Sequence, residues 1–357
     1  MRLRRALAAL ALLASGAYFV FTLRRARTLL DVEPIAPPPP PPPPSVEAEP
    51  RLPPLPKSLP PTDLSALVGA YRDASLPPLR RAAALAAAGE LVGSTRRARD
   101  FVKAGGLEPA VALLQRRPGA AAAGADRAER RRQGRLRAAA AHLLGAAAQN
   151  NPVFAASALA VGGGGEGGEG PDALGLLLAA AGDAARSERE RSSSFFALSA
   201  LLRAGVGGGS GQASRRAKAR WDDALQLVGR VVRDEQSCPA GVVRKATAVA
   251  EGLLEAESMQ SCERLRASLT DDPAALLARV GAWLTQDAAA QDLAGADKML
   301  AWLRTLMALD ARRRCKLGTR DLVRSHTAQG LRSWRRICAE DSDGGCDGFE
   351  LDKFEIR

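Results

Sequence analysis

The sequence predicts an all-α fold built as a solenoid of repeated helices, on three observations. Ala and Leu supply most of the apolar residues, which make up 46% of the 357 residues, while aromatics are only 4%. Both are strong helix formers, and the β-branched residues that favour strands are sparse. From residue 64 onward, helical stretches alternate with Gly or Gly-Pro punctuation, and one group of helices recurs along the chain.

The N-terminus stands outside that repeat. Arg2, Arg4 and Arg5 precede an uncharged apolar run over residues 6–23, and Arg24, Arg25 and Arg27 follow it. Such a run is about as long as the shortest bilayer span, ~17–25 residues. Small residues at Ala14 and Gly16 also suit signal-peptidase cleavage. Residues 1–30 therefore read as a targeting segment, either a cleaved signal peptide or an uncleaved signal anchor. Basic residues on both flanks leave its orientation open. Residues 37–44 are unbroken proline, which fixes φ and lacks an N–H, so a polyproline II spacer is expected. Further prolines extend this Pro-rich linker over residues 31–61.

The body follows, over residues 62–338. Its clearest unit is "RRARDFVKAGG", a short helix closed by Gly105 and Gly106, then "LEPAVALLQRR", with Leu107, Val111 and Leu114 on one helical face. A longer third helix, "RLRAAAAHLLGAAAQNN", is expected from Arg135 to about Asn150, with Pro152 stopping it. The triplet recurs as "PVFAASALAVGG", "ALGLLLAAA" and "RERSSSFFALSALLRAG". It returns as "SRRAKARW", "DDALQLVGRVV" and "GVVRKATAVAEGLLEA", and "AALLARVGAWLTQ" with "ADKMLAWLRTLMAL" suggests a fourth copy. A period of roughly 40–47 residues in two or three helices is that of HEAT and armadillo arrays. An armadillo-like solenoid of about four repeats is the expected fold, its third helices lining the concave wall. The glycine-rich stretches 162–170 and 205–211 read as loop insertions; the GxGxxG pattern at Gly162, Gly164 and Gly167 follows no strand and carries no weight. Residues 339–357 are expected to form an acidic tail.

The net charge of +12 and pI near 10.2 suit an acidic partner or nucleic acid. Scarcity of aromatic stacking residues argues against nucleic acid. Catalytic chemistry finds little support. His142 and His326 are the only histidines, and no Walker-type GxxxxGK[ST] occurs. The stretch 341–350 has the acidic character of a calcium loop, but Cys346 stands where an EF-hand needs glycine. No metal, cofactor or small-molecule substrate is expected, and the chain reads as a binding protein rather than an enzyme. Cys238, Cys262, Cys315, Cys338 and Cys346 contain no CxxC. In an oxidising compartment up to two pairs can close, leaving one thiol over; five reduced, buried cysteines are the alternative.

The segment "AAAAHLLGAAAQNNP" resembles the signature helix of the armadillo-type nucleotide exchange factors for heat-shock protein 70 chaperones. That family shows a "GGL…LL" helix, an AA-x-x-LG-x-x-x-QNNP helix and an "ALSxLxR" helix, similar in order and spacing to residues 105–114, 138–152 and 197–203 here. The likeness spans residues 64–255. It implies that the concave face holds a lobe of the chaperone's ATPase domain and favours its open cleft, so that ADP leaves. Such a factor needs only tighter binding to the open state. With the targeting segment, the chain is most similar to the endoplasmic-reticulum branch, which serves BiP. The C-terminal residues 353–357 depart from a KDEL retrieval signal at several positions.

Importin- and catenin-type repeats are the rival, and they bind extended peptides through a ladder of Trp and Asn. Here His142 and Phe196 occupy the Trp positions, and Ala146 and Ala200 the Asn positions, so backbone recognition by an amide is lost. Candidate partner contacts are the polar and aromatic side chains of the third helices: Arg137, His142, Gln149, Asn150, Phe196, Arg203, Arg244 and Lys245. Phe196 can equally be core, and Asn150 with Asn151 can equally cap a helix end. A membrane-tethered adaptor for another protein is the alternative function.

Overall fold

A computed structural model describes residues 52–54, 62–115, 127–149, 151–161, 172–207, 211–233, 238–255, 262–263, 269, 272–313, 315–340, 346 and 349–354. The targeting segment, the proline run and residues 162–170 lie outside these, as does Asn150. The described residues belong to one compact unit that starts at Leu52. Among them the regular structure is helical, with no strand.

Helices α1 (Leu64–Arg72) and α2 (Pro78–Leu91) open the array. Three complete triplets follow: α3 (Thr95–Lys103), α4 (Leu107–Gln115) and α5 (Arg127–Ala148); α6 (Pro152–Ala160), α7 (Ala173–Gly182) and α8 (Glu188–Gly207); α9 (Gln212–Ala219), α10 (Trp221–Arg233) and α11 (Ala240–Glu255). Then come α12 (Pro273–Ala290), α13 (Leu293–Arg313), α14 (Thr319–Glu340) and a 3₁₀ turn at Leu351–Phe354.

Like stacks on like. First helices α3, α6 and α9 pack in sequence, as do second helices α4, α7, α10 and α12. The third helices form the most extensive column, α2–α5–α8–α11–α13. Helices α2 and α13 therefore act as third helices of the flanking repeats. Small side chains let the column close up: Ala138, Ala140, Ala141, Ala147 and Ala148 of α5 are all buried. Each triplet buries its apolar stripe only against its neighbours, as expected for a quasi-one-dimensional array.

Local chemistry sets the helix starts. Side-chain oxygens of Asp63, Ser94, Asn151, Asp172 and Asp272 each accept a backbone N–H two or three residues into a helix. Asn151 thus caps the start of α6, not the end of α5. Pro152 and Pro273 take first-turn positions, where the missing N–H costs nothing. After α3, Gly105 adopts φ +69°, and the Gly106 N–H reaches back to Phe101 O at 3.0 Å, ending the helix where its glycines predict.

Three features differ from the sequence reading. Helix α5 begins at Arg127, eight residues before the expected Arg135. Its polar first turns are self-supporting: Gln133 donates to Glu129 at 2.8 Å, and Arg132 pairs with Glu129 at 3.5 Å. Helix α8 continues through Gly205 to Gly207, and Gly211 caps α9; residues 208–210 lie outside the described residues. The third difference is at the C-terminus. Helix α14, which runs to Glu340, packs along α12, and the described tail residues 349–354 pack back on it. Phe349 and Phe354 are buried, Phe349 edge-on to Trp334 at 5.2 Å. Arg335 donates to Leu351 O at 3.0 Å, and Cys338 is bonded to Cys346.

Candidate functional site

The third-helix column carries the site. On α8, Arg189, Phe196 and Arg203 recur every seven residues, which puts them on one stripe. His142 of α5 and Gln149, one residue past its end, are also seven residues apart. All but Phe196 are exposed, and Phe196 is half-buried. The rings of His142 and Phe196 stack across the α5–α8 seam, with centroids 5.1 Å apart and planes 27° apart. Gly145 makes room for this: a Cβ there would lie 2.5 Å from Phe196 Cδ1 and 3.1 Å from the Ala197 Cα. An aromatic pair thus occupies the Trp positions of a peptide-binding ladder, while Ala200, at an Asn position, is buried and has no amide to offer.

Positive charge surrounds the pair. Burial, with Arg189 and then Lys245 nearby, lowers the His142 pKa below its ordinary 6.5. Burial also lowers the pKa of Lys245, an exposed residue of α11, and Lys298 on α13 adds to that. Arg203 lies across the seam onto α11, where Gly252 has no side chain to obstruct its guanidinium.

Two expected contacts are committed elsewhere. Arg137 is buried, its Nε donating to Glu190 Oε1 at 2.7 Å and Nη2 to Oε2 at 3.3 Å. Glu190, itself buried, also pairs with Arg186. Arg137 therefore ties α5 to α8 and is not offered to solvent, which corrects its expected place on the binding face. Arg244, partly buried, pairs with Asp287 at 3.2 Å and with Asp292, tying α11 to the junction of α12 and α13. Burial raises the Asp287 pKa. His142, Phe196, Arg203 and Lys245 lie on the third helices, and Gln149 is exposed just past the end of α5.

Arg189 and Lys298 belong to this face but were missed. Arg189 was visible in principle, seven residues before Phe196. Lys298 becomes a neighbour of Lys245 only when α13 stacks on α11, which no spacing in the sequence encodes.

Of the cysteines, Cys262 is bonded to Cys315 and Cys338 to Cys346, leaving buried Cys238 as the odd thiol. Arg191 Nη2 donates to Cys238 Sγ at 3.1 Å, beside a recess of about 460 Å³ lined partly by Leu178, Leu227 and Arg230. No group of three metal-ligating side chains occurs among the described residues, and no helix there is long and apolar enough to cross a membrane. Most of the calcium-loop-like stretch lies outside them.

No protein-family model matches the sequence, and no curated protein matches it. Solved structures do. A designed armadillo repeat protein aligns over its whole length with 82% of this chain, at TM-score 0.51 and 14% identity. Two engineered proteins align with the same share, at TM-scores of 0.55 and 0.51 and identities of 16% and 13%, over 98% and 96% of their own lengths. At such identity the likeness speaks to fold alone, and that fold is the armadillo-like solenoid.

Proposed function

We propose that the third-helix face grips the ATPase domain of a heat-shock protein 70 chaperone, of the BiP kind, and speeds ADP release without catalysis of its own. One observation carries the reading. The face presents a stacked aromatic pair ringed by exposed cations, on a column whose buried charges are compensated internally. Such a surface suits a folded partner, since a rigid aromatic anchor with a polar surround is how protein interfaces concentrate binding energy. The resemblance of the "QNNP" and "ALSALLR" helices supplies the partner's identity. Exchange then follows if the face binds the open ATPase cleft more tightly than the closed one.

The lumen of the endoplasmic reticulum is the proposed location. The two disulfides support it, since such bonds persist in oxidising compartments. Protease treatment of sealed microsomes should leave the solenoid intact; digestion would place it on the cytosolic side. For the activity itself, labelled ADP release from BiP should accelerate on adding the chain, and Phe196→Ala should weaken the effect. Binding with no acceleration would leave the adaptor reading in its place.

A further inference from the structure

Charges on the third-helix column fall into two sets. Those facing inward are neutralised: Arg137 by Glu190, and Arg244 by Asp287 and Asp292. The outward pair, Lys245 of α11 and Lys298 of α13, is different. Among the described residues neither has a carboxylate within salt-bridge distance. They lie on two helices packed side by side, and the Lys298 charge adds to burial in disfavouring the charged form of Lys245. Lys245 in turn lies near the His142 ring, which also faces Arg189. Like charges across one seam repel, and among the described residues no carboxylate pairs with either lysine to offset the cost. Lysine is scarce besides: seven occur in the chain, and two of the seven meet here.

We infer that Lys245 and Lys298 form a carboxylate clamp, which seats an acidic patch of the protein partner beside the His142–Phe196 stack. The inference rests on the reading above that this face holds a protein. It adds the chemistry of the surface held: clustered Asp or Glu next to a flat apolar area that covers the aromatic rings. Two ammonium groups, each with three donors, can share the oxygens of one or two carboxylates. The contact relieves the repulsion in the free chain and fixes the register of the partner along α11 and α13. It also steers encounter, an effect that fades as salt rises.

Carbon-13 reductive methylation keeps the lysine charge and allows each lysine to be followed by NMR in the full chain. Titration with hexaglutamate at low salt should shift the Lys245 and Lys298 signals at lower concentration than the other lysines. Replacing both, with Lys245→Gln and Lys298→Gln, should weaken hexaglutamate binding about 10-fold. Shifts that develop together at all lysines, with no loss in the double variant, would overturn the clamp. Adding the BiP ATPase domain separates the two readings. If the domain binds and neither lysine signal moves, the clamp is wrong while the exchange-factor reading survives. If it does not bind while hexaglutamate still selects the pair, the clamp stands and its acidic partner is another protein.

Discussion

At the scale of single residues, burial decides what a charge does. Arg137 and His142 are five positions apart on one helix, yet one is sealed against Glu190 and the other faces solvent. Glu190→Ala would leave Arg137 and Arg186 without their shared carboxylate in a buried setting. Breaking one partner of such a cluster costs about 3–5 kcal/mol. Urea unfolding should therefore register a large loss of stability, with Arg137→Ala lowering stability rather than partner affinity alone. His142 makes the opposite kind of prediction. Its pKa lies below 6.5 in the folded chain, because burial and the nearby cations disfavour the imidazolium. As pH falls through 6.5 the unfolded chain takes up this proton first, so stability drops on acidification. His142→Phe should keep the stack and flatten the dependence of the melting temperature on pH below 6.5.

Among the helices, glycine marks both weak points and closest approaches. Gly281 of α12 and Gly330 of α14 face one another; a Cβ at Gly281 would fall on the His326 carbonyl oxygen and 3.0 Å from the Thr327 Cα. Backbone cannot yield as a side chain can. Gly281→Ala should then cost about 1–3 kcal/mol by forcing α12 and α14 apart. Gly69 in α1 has open space where its Cβ would go, and Gly69→Ala should stabilise by about 0.5–1 kcal/mol. Thermal melts of the two variants should move in opposite directions. The same contrast bears on what could be read from the sequence. Gly105 and Pro152 bound their helices visibly, because their backbone rules are local. Helix α14 went unread because "TRDLVRSHTAQGLRSW" is polar, with a glycine inside it, and its apolar stripe gains meaning only against α12. His142 and Phe196 were legible from their place in the third helix. Arg137 was misplaced, since the carboxylate that claims it lies 53 residues away.

The repeat unit as a whole is held together by contacts between neighbours, so its stability need not be uniform along the array. Its N-terminal and central repeats rely on packed Ala, Leu and Phe. At the C-terminal end the chain adds covalent ties: Cys262–Cys315 closes a 53-residue span onto the end of α13, and Cys338–Cys346 holds the returning tail against α14. A native disulfide contributes about 2–4 kcal/mol, with longer loops gaining more. Reduction should act where those ties are. Hydrogen exchange after reduction should quicken in α12, α13 and α14 and stay slow in α5 and α8. Uniform quickening would mean that the array unfolds as one cooperative block. Because Lys298 sits on α13 while the His142–Phe196 stack sits on α5 and α8, loosening the end repeat should weaken the lysine pair and spare the aromatic platform. A reduced chain should accordingly bind its partner with less salt dependence than the oxidised one, which stopped-flow association at two ionic strengths measures directly.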